Sequence, residues 1–273
     1  MNNKKKVLYL SYTGMLEPLG RSQVLAYLSR LSKDYEFSII SFEKADDFSD
    51  KRAVESLQAE CKRFDINWQP KIYHKKPRLL ATLWDLLVLF FSTYRVTKKS
   101  KIELVHCRSY IPAIAAFLVG KLTKVPFIFD MRALWPEEMI DADRLKRHSW
   151  VHKVINYLEK RLINESAHIV SLTHAAVPYL LDKHQGVNKN KFTVIPTCVD
   201  LSRFTENAES ERNAIGTMGT VVSGWYHLDW LAKTVSLAGD VFADTTIKII
   251  TRDDAEIIFN EFEKVSSETN SGC

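Results

Sequence analysis

The feature that most constrains the fold of this chain is a regular alternation of short apolar runs with longer stretches of helical periodicity. Seven runs are predicted strands, at 7–11, 36–42, 66–72, 104–107, 127–130, 169–172 and 193–195. The predicted helices between them lie at 23–33, 50–63, 79–99, 111–122, 149–166 and 175–184. Such alternation is typical of βαβ units, whose right-handed crossovers build a parallel sheet with helices on both faces. The sequence therefore predicts an α/β fold with a doubly wound, Rossmann-like sheet.

A polar segment divides the chain. Residues 205–213 are predicted to form a linker. The alternation of strands and helices then continues, with a strand at 214–218, a helix at 225–238, a strand at 246–251 and a helix at 253–265. We therefore predict an N-terminal domain over 1–204 and a second Rossmann-like domain over 214–273. The second domain contains only two βα units, and about 60 residues bury an independent core only marginally. We expect it to be incomplete.

The composition narrows the cellular setting. The chain has 273 residues, 46% of them hydrophobic, and its four cysteines are too widely spaced to predict a disulfide scaffold or a zinc site. The basic N-terminus leads into an apolar run shorter than the roughly 7–15 residues of a signal peptide. The apolar stretch 79–91 is interrupted by Thr82 and Asp85 and falls short of the ~18 residues that span a bilayer. We expect a soluble, cytoplasmic protein.

The net charge of +5 is distributed unevenly, because residues 251–273 contain two basic and six acidic side chains. Basic clusters lie at 71–78, 95–101 and 144–153. An anionic partner is expected, and a nucleotide diphosphate or an acidic membrane surface fits better than nucleic acid, since no RNA-binding or helix-turn-helix signature occurs. Residues 79–91, between two basic clusters, fit either peripheral membrane contact or a buried core helix.

Glycines follow the first strand of each predicted domain. Gly14 and Gly20 lie between a strand and a helix, where backbone amides and a helix N-terminus can approach a phosphate. Gly219 lies at the corresponding place in the second domain. Their spacing matches neither a dinucleotide fingerprint nor a P-loop, so an ordinary turn remains the alternative.

Charged residues also follow the fourth and fifth strands. His106 and Arg108 are predicted at the end of the fourth strand, where they could orient a hydroxyl group and pair with an anion, or cap the strand and form a surface ion pair. Asp130, Arg132 and Glu137 follow the fifth strand, near a tryptophan of the kind that packs against sugar rings. A well-packed ordinary loop is the alternative there. The Asp-x-Asp spacing at 141–143 is too common to predict a metal site by itself.

Four segments together resemble family 4 glycosyltransferases of the GT-B fold. They are EPLGRSQV at 17–24, VHCRS at 105–109, FDMRALWPEE at 129–138 and VIPTCVDLSRF at 194–204. Residues 219–231, with a Trp-Tyr pair, resemble the entry to the donor domain of bacterial members that build surface polysaccharides. The resemblance covers nearly the whole chain, and it is the order and spacing of the segments that make it specific.

The resemblance implies transfer of a sugar from a nucleotide-sugar donor to a saccharide or lipid-linked acceptor in cell-surface polysaccharide synthesis. It also implies that the transfer retains the anomeric configuration and needs neither a metal ion nor another cofactor. It assigns the donor diphosphate to Gly14, Gly20 and Gly219. It places His106 and Arg108 at the reacting centre, and Asp130, Arg132 and Glu137 on the acceptor side.

One family feature is missing from the sequence. Such transferases carry a Glu-x7-Glu pattern in the donor domain, and no glutamate in this chain has another eight positions later. A truncated, inactive fragment, or a module that docks on an acceptor or a membrane, is therefore the alternative function. A GT-B-like sugar-nucleotide epimerase is a weaker one.

Overall fold

The computed structural model describes residues 4–201, 214–222, 226–241 and 246–270. The chain forms two compact units, Met1–Arg203 and Phe204–Cys273. The predicted linker at 205–213 lies outside the described residues.

A seven-stranded sheet organises the first unit. Its strands are β1 (Lys5–Ser11), β2 (Tyr35–Glu43), β3 (Asn67–Ile72), β4 (Leu104–Arg108), β5 (Phe127–Met131), β6 (His168–Ser171) and β7 (Phe192–Val194). All neighbours pair in parallel, in the order β3-β2-β1-β4-β5-β6-β7. The seven predicted strands and the doubly wound parallel sheet are confirmed. The order reverses between β1 and β4, which creates a crevice at the carboxyl ends of these strands.

The helices of the first unit connect successive strands. They are α1 (Pro18–Gly20), a π-helical turn (Arg21–Leu25), α2 (Ala26–Leu31), α3 (Ala45–Ser49), α4 (Lys51–Arg63), α5 (Arg78–Ser100), α6 (Tyr110–Thr123), α7 (Trp135–Asp141), α8 (Trp150–Glu165), α9 (Ala176–Lys183) and a 3₁₀ turn (Lys189–Lys191). The first helical region starts at Pro18, five residues before the predicted start at 23. Helix α7 replaces an expected loop, because Pro136 suits a first helical turn and Glu137 and Glu138 interact favourably with the helix dipole there.

Side chains alternate between the two sheet faces and form two hydrophobic clusters. Leu8, Leu10 and Phe129 belong to the cluster that contains buried residues of α5, α6, α8 and α9. Val7 and Phe37 point to the opposite face, where residues of the π-helical turn, α2 and α4 cover them. This packing holds the carboxyl ends of β1, β4 and β5 on a rigid base.

The second unit contains one parallel strand pair and two helices in its described part. Strand β8 (Ala214–Met218) pairs with β9 (Thr246–Ile250), and α10 (Leu228–Val241) contacts α11 (Ala255–Asn270). Helix α11 continues five residues past the predicted end at 265.

Candidate functional site

Two arginines meet at the crevice beside the strand-order reversal. Arg108 is the last residue of β4, and Arg132 follows the last residue of β5. Both guanidinium groups donate to the same side-chain oxygen, Oε1 of Gln23, at 3.1 Å and 3.0 Å. Gln23 lies in the π-helical turn after β1. A neutral amide oxygen between two cations binds them without cancelling their charge.

The charge at this arginine pair is only partly balanced. Oδ1 of Asp130, the nearest carboxylate, lies 3.7 Å from Nη1 of Arg132. Burial lowers the pKa of the Arg108 guanidinium, and the neighbouring Arg132 lowers it further, but a guanidinium stays protonated in proteins. Two positive charges with one negative charge within 4 Å therefore leave an excess of positive charge at the arginine pair itself.

The backbone beside Arg108 is strained. Ser109, the next residue, has φ 77° and ψ −177°, a region that favours glycine, and its amide donates to the carbonyl oxygen of Asp130 at 2.8 Å. Such strain tends to cluster at functional sites.

His106 lies further down the sheet than the sequence predicted. It is in the middle of β4 rather than at its end, with its ring 4.7 Å from the ring of Tyr9. Its Nε2 is 3.5 Å from Oδ2 of Asp130. Among the described residues, Nε2 of His106 and Oδ1 of Asp130 are buried and have no hydrogen-bond partner. Buried polar atoms of this kind usually have a hydrogen-bond partner, so these two atoms are exceptions.

Two cavities share Arg132. A cleft of about 410 Å³ lies at the ends of β5 and β6 and is also lined by Leu134, Thr173 and Tyr179. A groove of about 560 Å³ runs along the sheet face, with mainly apolar walls and with His106, Asp130 and Arg132 among its lining residues. The predicted residues His106, Arg108, Asp130 and Arg132 are thus brought together.

Glu137 belongs to a different network. It accepts hydrogen bonds from Lys183 and Arg147, both at 3.0 Å. Burial opposes its ionisation, but the hydrogen bonds from Tyr179 and Lys183 and the nearby positive charges outweigh burial and lower its pKa to about 2. Lys183 also pairs at 2.9 Å with the fully buried Glu159. Glu137 therefore ties helices α7 and α9 together, apart from the arginine pair.

The glycine loop after β1 is filled from within the protein. The amides of Met15 and Leu16 donate to the buried carboxylate of Glu43, at 2.9 Å and 3.0 Å. A Cβ atom on Gly20 would lie 2.1 Å from the carbonyl oxygen of Gly14, and one on Gly14 would lie 2.5 Å from Glu43. Packing thus explains both glycines without a ligand, and their donor-binding role stays a prediction.

Gly219 has a conformational reason of its own. Its φ of +150° favours glycine, and a Cβ atom there would meet no neighbour within 4 Å. Val222, in the same loop, donates its amide hydrogen to Asp253, which follows β9, at 3.0 Å. The donor-binding role of Gly219 stays a prediction.

A polar cluster that the sequence did not reveal lies beside the crevice. Asp85 of α5 is fully buried and accepts hydrogen bonds from the Tyr12 hydroxyl at 2.8 Å and the His74 amide at 3.1 Å. His74 Nδ1 lies 2.6 Å from the other carboxylate oxygen. This arrangement orients the exposed His74 ring. Tyr12, His74 and Asp85 are too far apart in the sequence for a local pattern to reveal the cluster. Gln23 and Glu43 were missed for the same reason.

The described residues contain no group of three or more His, Cys, Asp or Glu side chains that could hold a metal ion. Of the Asp-x-Asp pair, Asp141 ends α7, and Asp143 has a positive φ of 52° just beyond it.

Comparisons with known proteins place these features in context. The profile described as Glycosyltransferase Family 4 matches residues 22–203. No curated protein matches the chain significantly.

Solved structures share the fold at low sequence identity. HepE from Anabaena, in complex with UDP and glucose, is 10% identical with a TM-score of 0.61, and the match covers 97% of this chain and 67% of HepE. UDP-GlcNAc 2-epimerase from Neisseria meningitidis, bound to UDP-GlcNAc, is 13% identical with a TM-score of 0.59, covering 96% and 69%. The apo lipopolysaccharide outer core galactosyltransferase WaaB is 14% identical with a TM-score of 0.51, covering 97% and 66%. The predicted GT-B-like fold is confirmed, and the chain spans about two thirds of the length of each of these proteins.

Proposed function

Because this chain belongs to glycosyltransferase family 4, we propose that it transfers a sugar from a nucleotide-sugar donor to a hydroxyl group of a saccharide or lipid-linked acceptor. We further propose that the transfer retains the anomeric configuration, needs no metal ion and serves cell-surface polysaccharide synthesis on the cytoplasmic side of the membrane. The UDP and UDP-GlcNAc held by similar folds support a nucleotide-sugar donor. The epimerase shares only the fold, whereas the family profile favours transfer.

The observation that carries this proposal is the arginine pair. Sugar transfer releases a diphosphate, whose developing negative charge must be stabilised in the transition state. Arg108 and Arg132 converge on Gln23 with an excess of positive charge, and each guanidinium has further N–H donors beyond the one bound to Gln23. Planar guanidinium groups form bidentate hydrogen bonds with phosphate oxygens, which supports phosphate recognition at this edge.

His106 and Asp130 provide the hydroxyl-binding part of the proposed site. Both residues line the groove, where an imidazole nitrogen can donate to or accept from a sugar hydroxyl and a carboxylate oxygen can accept from it. We assign His106 and Arg108 to the reacting centre and Asp130 to the acceptor side. Arg132, which the resemblance places on the acceptor side, we assign to the diphosphate together with Arg108, because both bind Gln23. Acceptor binding by Glu137 stays a prediction, because that carboxylate is already held by Lys183 and Arg147.

The test measures transfer from a panel of labelled UDP- and GDP-sugars to a lipid-linked acceptor fraction. We expect Arg132→Ala and His106→Ala to lower turnover by at least about 100-fold, which is typical when a transition-state donor is removed. Arg52→Ala, on the exposed face of α4, is the matched control and should keep wild-type turnover. Circular dichroism should be unchanged in all three variants.

Each outcome decides one part of the proposal. Wild-type turnover in both Arg132→Ala and His106→Ala would remove these residues from the site. A folded wild-type chain that neither binds a nucleotide in isothermal titration nor transfers a sugar would refute the enzymatic function. That outcome would favour the alternative of a non-catalytic docking module.

A further inference from the structure

Helix α5 exposes a continuous row of large apolar side chains. Six of them have exposed fractions between 50% and 73%. We call this row the α5 stripe; it comprises Leu79, Leu80, Leu83, Trp84, Leu87 and Phe91. At about 100° per residue these positions share an arc of roughly 140°, and at 1.5 Å per residue they extend over about 18 Å. An exposed apolar face of this size is unusual for a surface in contact with water.

The opposite side of α5 is fixed in the core. Ala81, Asp85, Leu89, Thr93 and Val96 are buried there. Among the described residues, Leu79–Ser100 is the one helical segment long and apolar enough to cross a membrane, with a mean hydropathy of 1.5. The expectation that the apolar stretch is too short to span a bilayer was therefore wrong. A span would, however, remove the buried side of α5 from the sheet. The stripe suits contact with a membrane surface instead.

The charges around the stripe select the kind of surface. Within residues 66–102 Asp85 is the single acidic residue, and its side chain is fully buried. Exposed Lys75 and Lys76 precede the stripe, and exposed Lys98 and Lys99 follow it. An apolar stripe with basic residues at both ends and no exposed carboxylate within the segment complements anionic lipid headgroups above an acyl layer.

We propose that the α5 stripe docks this protein on an anionic lipid bilayer, with α5 lying in the plane of the interface. Apolar side chains of the stripe enter the boundary between headgroups and acyl chains, and the flanking lysines bind the headgroups. Burial of the stripe and attraction to anionic lipid act together in this mode of binding.

The docking also orients the proposed site. In a parallel βα unit the helix begins at the carboxyl edge of the sheet, so the first residues of the stripe lie towards the edge that carries the arginine pair. Asp85, about two turns into α5, is bound to Tyr12 just after β1 and to His74 after β3. A bilayer on the stripe would present a lipid-linked acceptor near this edge. This last step, unlike the docking itself, rests on the proposed glycosyltransferase function.

The experiment is co-sedimentation of the full chain with vesicles of phosphatidylcholine alone or with 30% phosphatidylglycerol (about one charged lipid in three). We expect binding to the anionic vesicles and at least 10-fold weaker binding to the neutral ones. Leu83→Ser/Leu87→Ser should weaken binding at least 10-fold. Ile257→Ser/Phe259→Ser removes two similarly exposed apolar side chains from α11 and should leave binding unchanged.

A second pair of variants tests the charge. Lys75→Ala/Lys76→Ala should weaken binding to anionic vesicles about 10-fold, since each basic residue near the surface contributes several-fold. Lys51→Ala/Lys62→Ala, on the exposed surface of α4, is the control for charge and should bind like the wild type.

Three outcomes would overturn the docking proposal: no binding to anionic vesicles, equal binding by the stripe variant and the wild type, or a stripe-dependent dimer in sedimentation velocity that excludes vesicles. The assay contains no nucleotide-sugar, so its result is independent of turnover. Transfer without vesicle binding would refute docking alone, whereas vesicle binding without transfer would refute the proposed activity alone.

Discussion

Replacing Glu137 by glutamine should destabilise the protein in a pH-dependent way. This carboxylate has a pKa of about 2 instead of 4.5, because the hydrogen bonds from Tyr179 and Lys183 and the nearby positive charges outweigh the effect of burial. A shift of that size corresponds to roughly 3 kcal/mol of folding free energy. Glutamine keeps hydrogen-bonding capacity but loses the charge, so we expect Glu137→Gln to cost about 2–3 kcal/mol at pH 7.

The sign of the pH dependence follows from the lowered pKa. The stabilisation by Glu137 is complete above the unfolded-state value of 4.5 and is lost as pH falls towards about 2. The difference in unfolding free energy between the wild type and Glu137→Gln should therefore be constant from pH 7 to pH 5. It should shrink to roughly half at pH 3.

Equilibrium urea unfolding at pH 7, 5, 4 and 3 would measure this difference. The matched control is Glu165→Gln, which removes a surface carboxylate paired with Lys121 and Arg161. Exposed pairs contribute about 0–1 kcal/mol, so the control should change stability little at any pH. The reasoning is refuted if Glu137→Gln costs the same at pH 7 and pH 3, or no more than the control at pH 7.

Two further predictions concern packing and thiol reactivity. Gly20→Ala should lower the free energy of unfolding by at least about 2–3 kcal/mol or prevent folding, since its Cβ atom would lie 2.1 Å from a backbone oxygen. Gly216→Ala is the control, because a Cβ atom there meets no neighbour within 4 Å, and it should melt within a few degrees of the wild type. Equal melting temperatures of the two variants would contradict the packing argument. Cys198 is exposed, whereas burial raises the pKa of the Cys61 thiol to about 11 and that of the Cys107 thiol well above its usual range. After brief alkylation of the native protein at about pH 7.5, mass spectrometry should therefore find Cys198 modified and Cys61 and Cys107 protected. Rapid modification of Cys107 would contradict its burial.

Most of the strands could be predicted from the sequence because they are short apolar runs followed by a helix, although β7 precedes the predicted linker instead. Helix α7 could not, since its seven residues contain too little periodicity and its Trp-Pro start suggests a loop. Helix α11 extends to Asn270, although its last turns are polar. Polar composition alone was therefore a poor guide to where this helix ends.

The candidate site could be predicted in part. The rule that ligands bind at the carboxyl ends of parallel strands selected Arg108, Asp130 and Arg132, which the structure brings together. The same rule could not identify Gln23, which is 85 and 109 residues away from the arginines that it binds. It also selected Glu137, whose cationic partners are distributed over two other segments of the chain. Long-range partners of polar groups depend on tertiary packing, and no local pattern encodes them.

The carboxylate of Glu43 holds the loop after β1 in its shape before any ligand binds. It accepts from two loop amides and from the Ser41 hydroxyl at 2.5 Å, so the loop already contains an anion supplied by the protein itself. The loop is therefore organised by folding rather than by a substrate, and its shape should be the same whether the crevice is empty or full. An incoming phosphate would have to use other donors or compete with an internal carboxylate present at a high effective concentration. The loop thus behaves as a preassembled wall of the crevice, and recognition of a charged ligand is left to the guanidinium groups of Arg108 and Arg132.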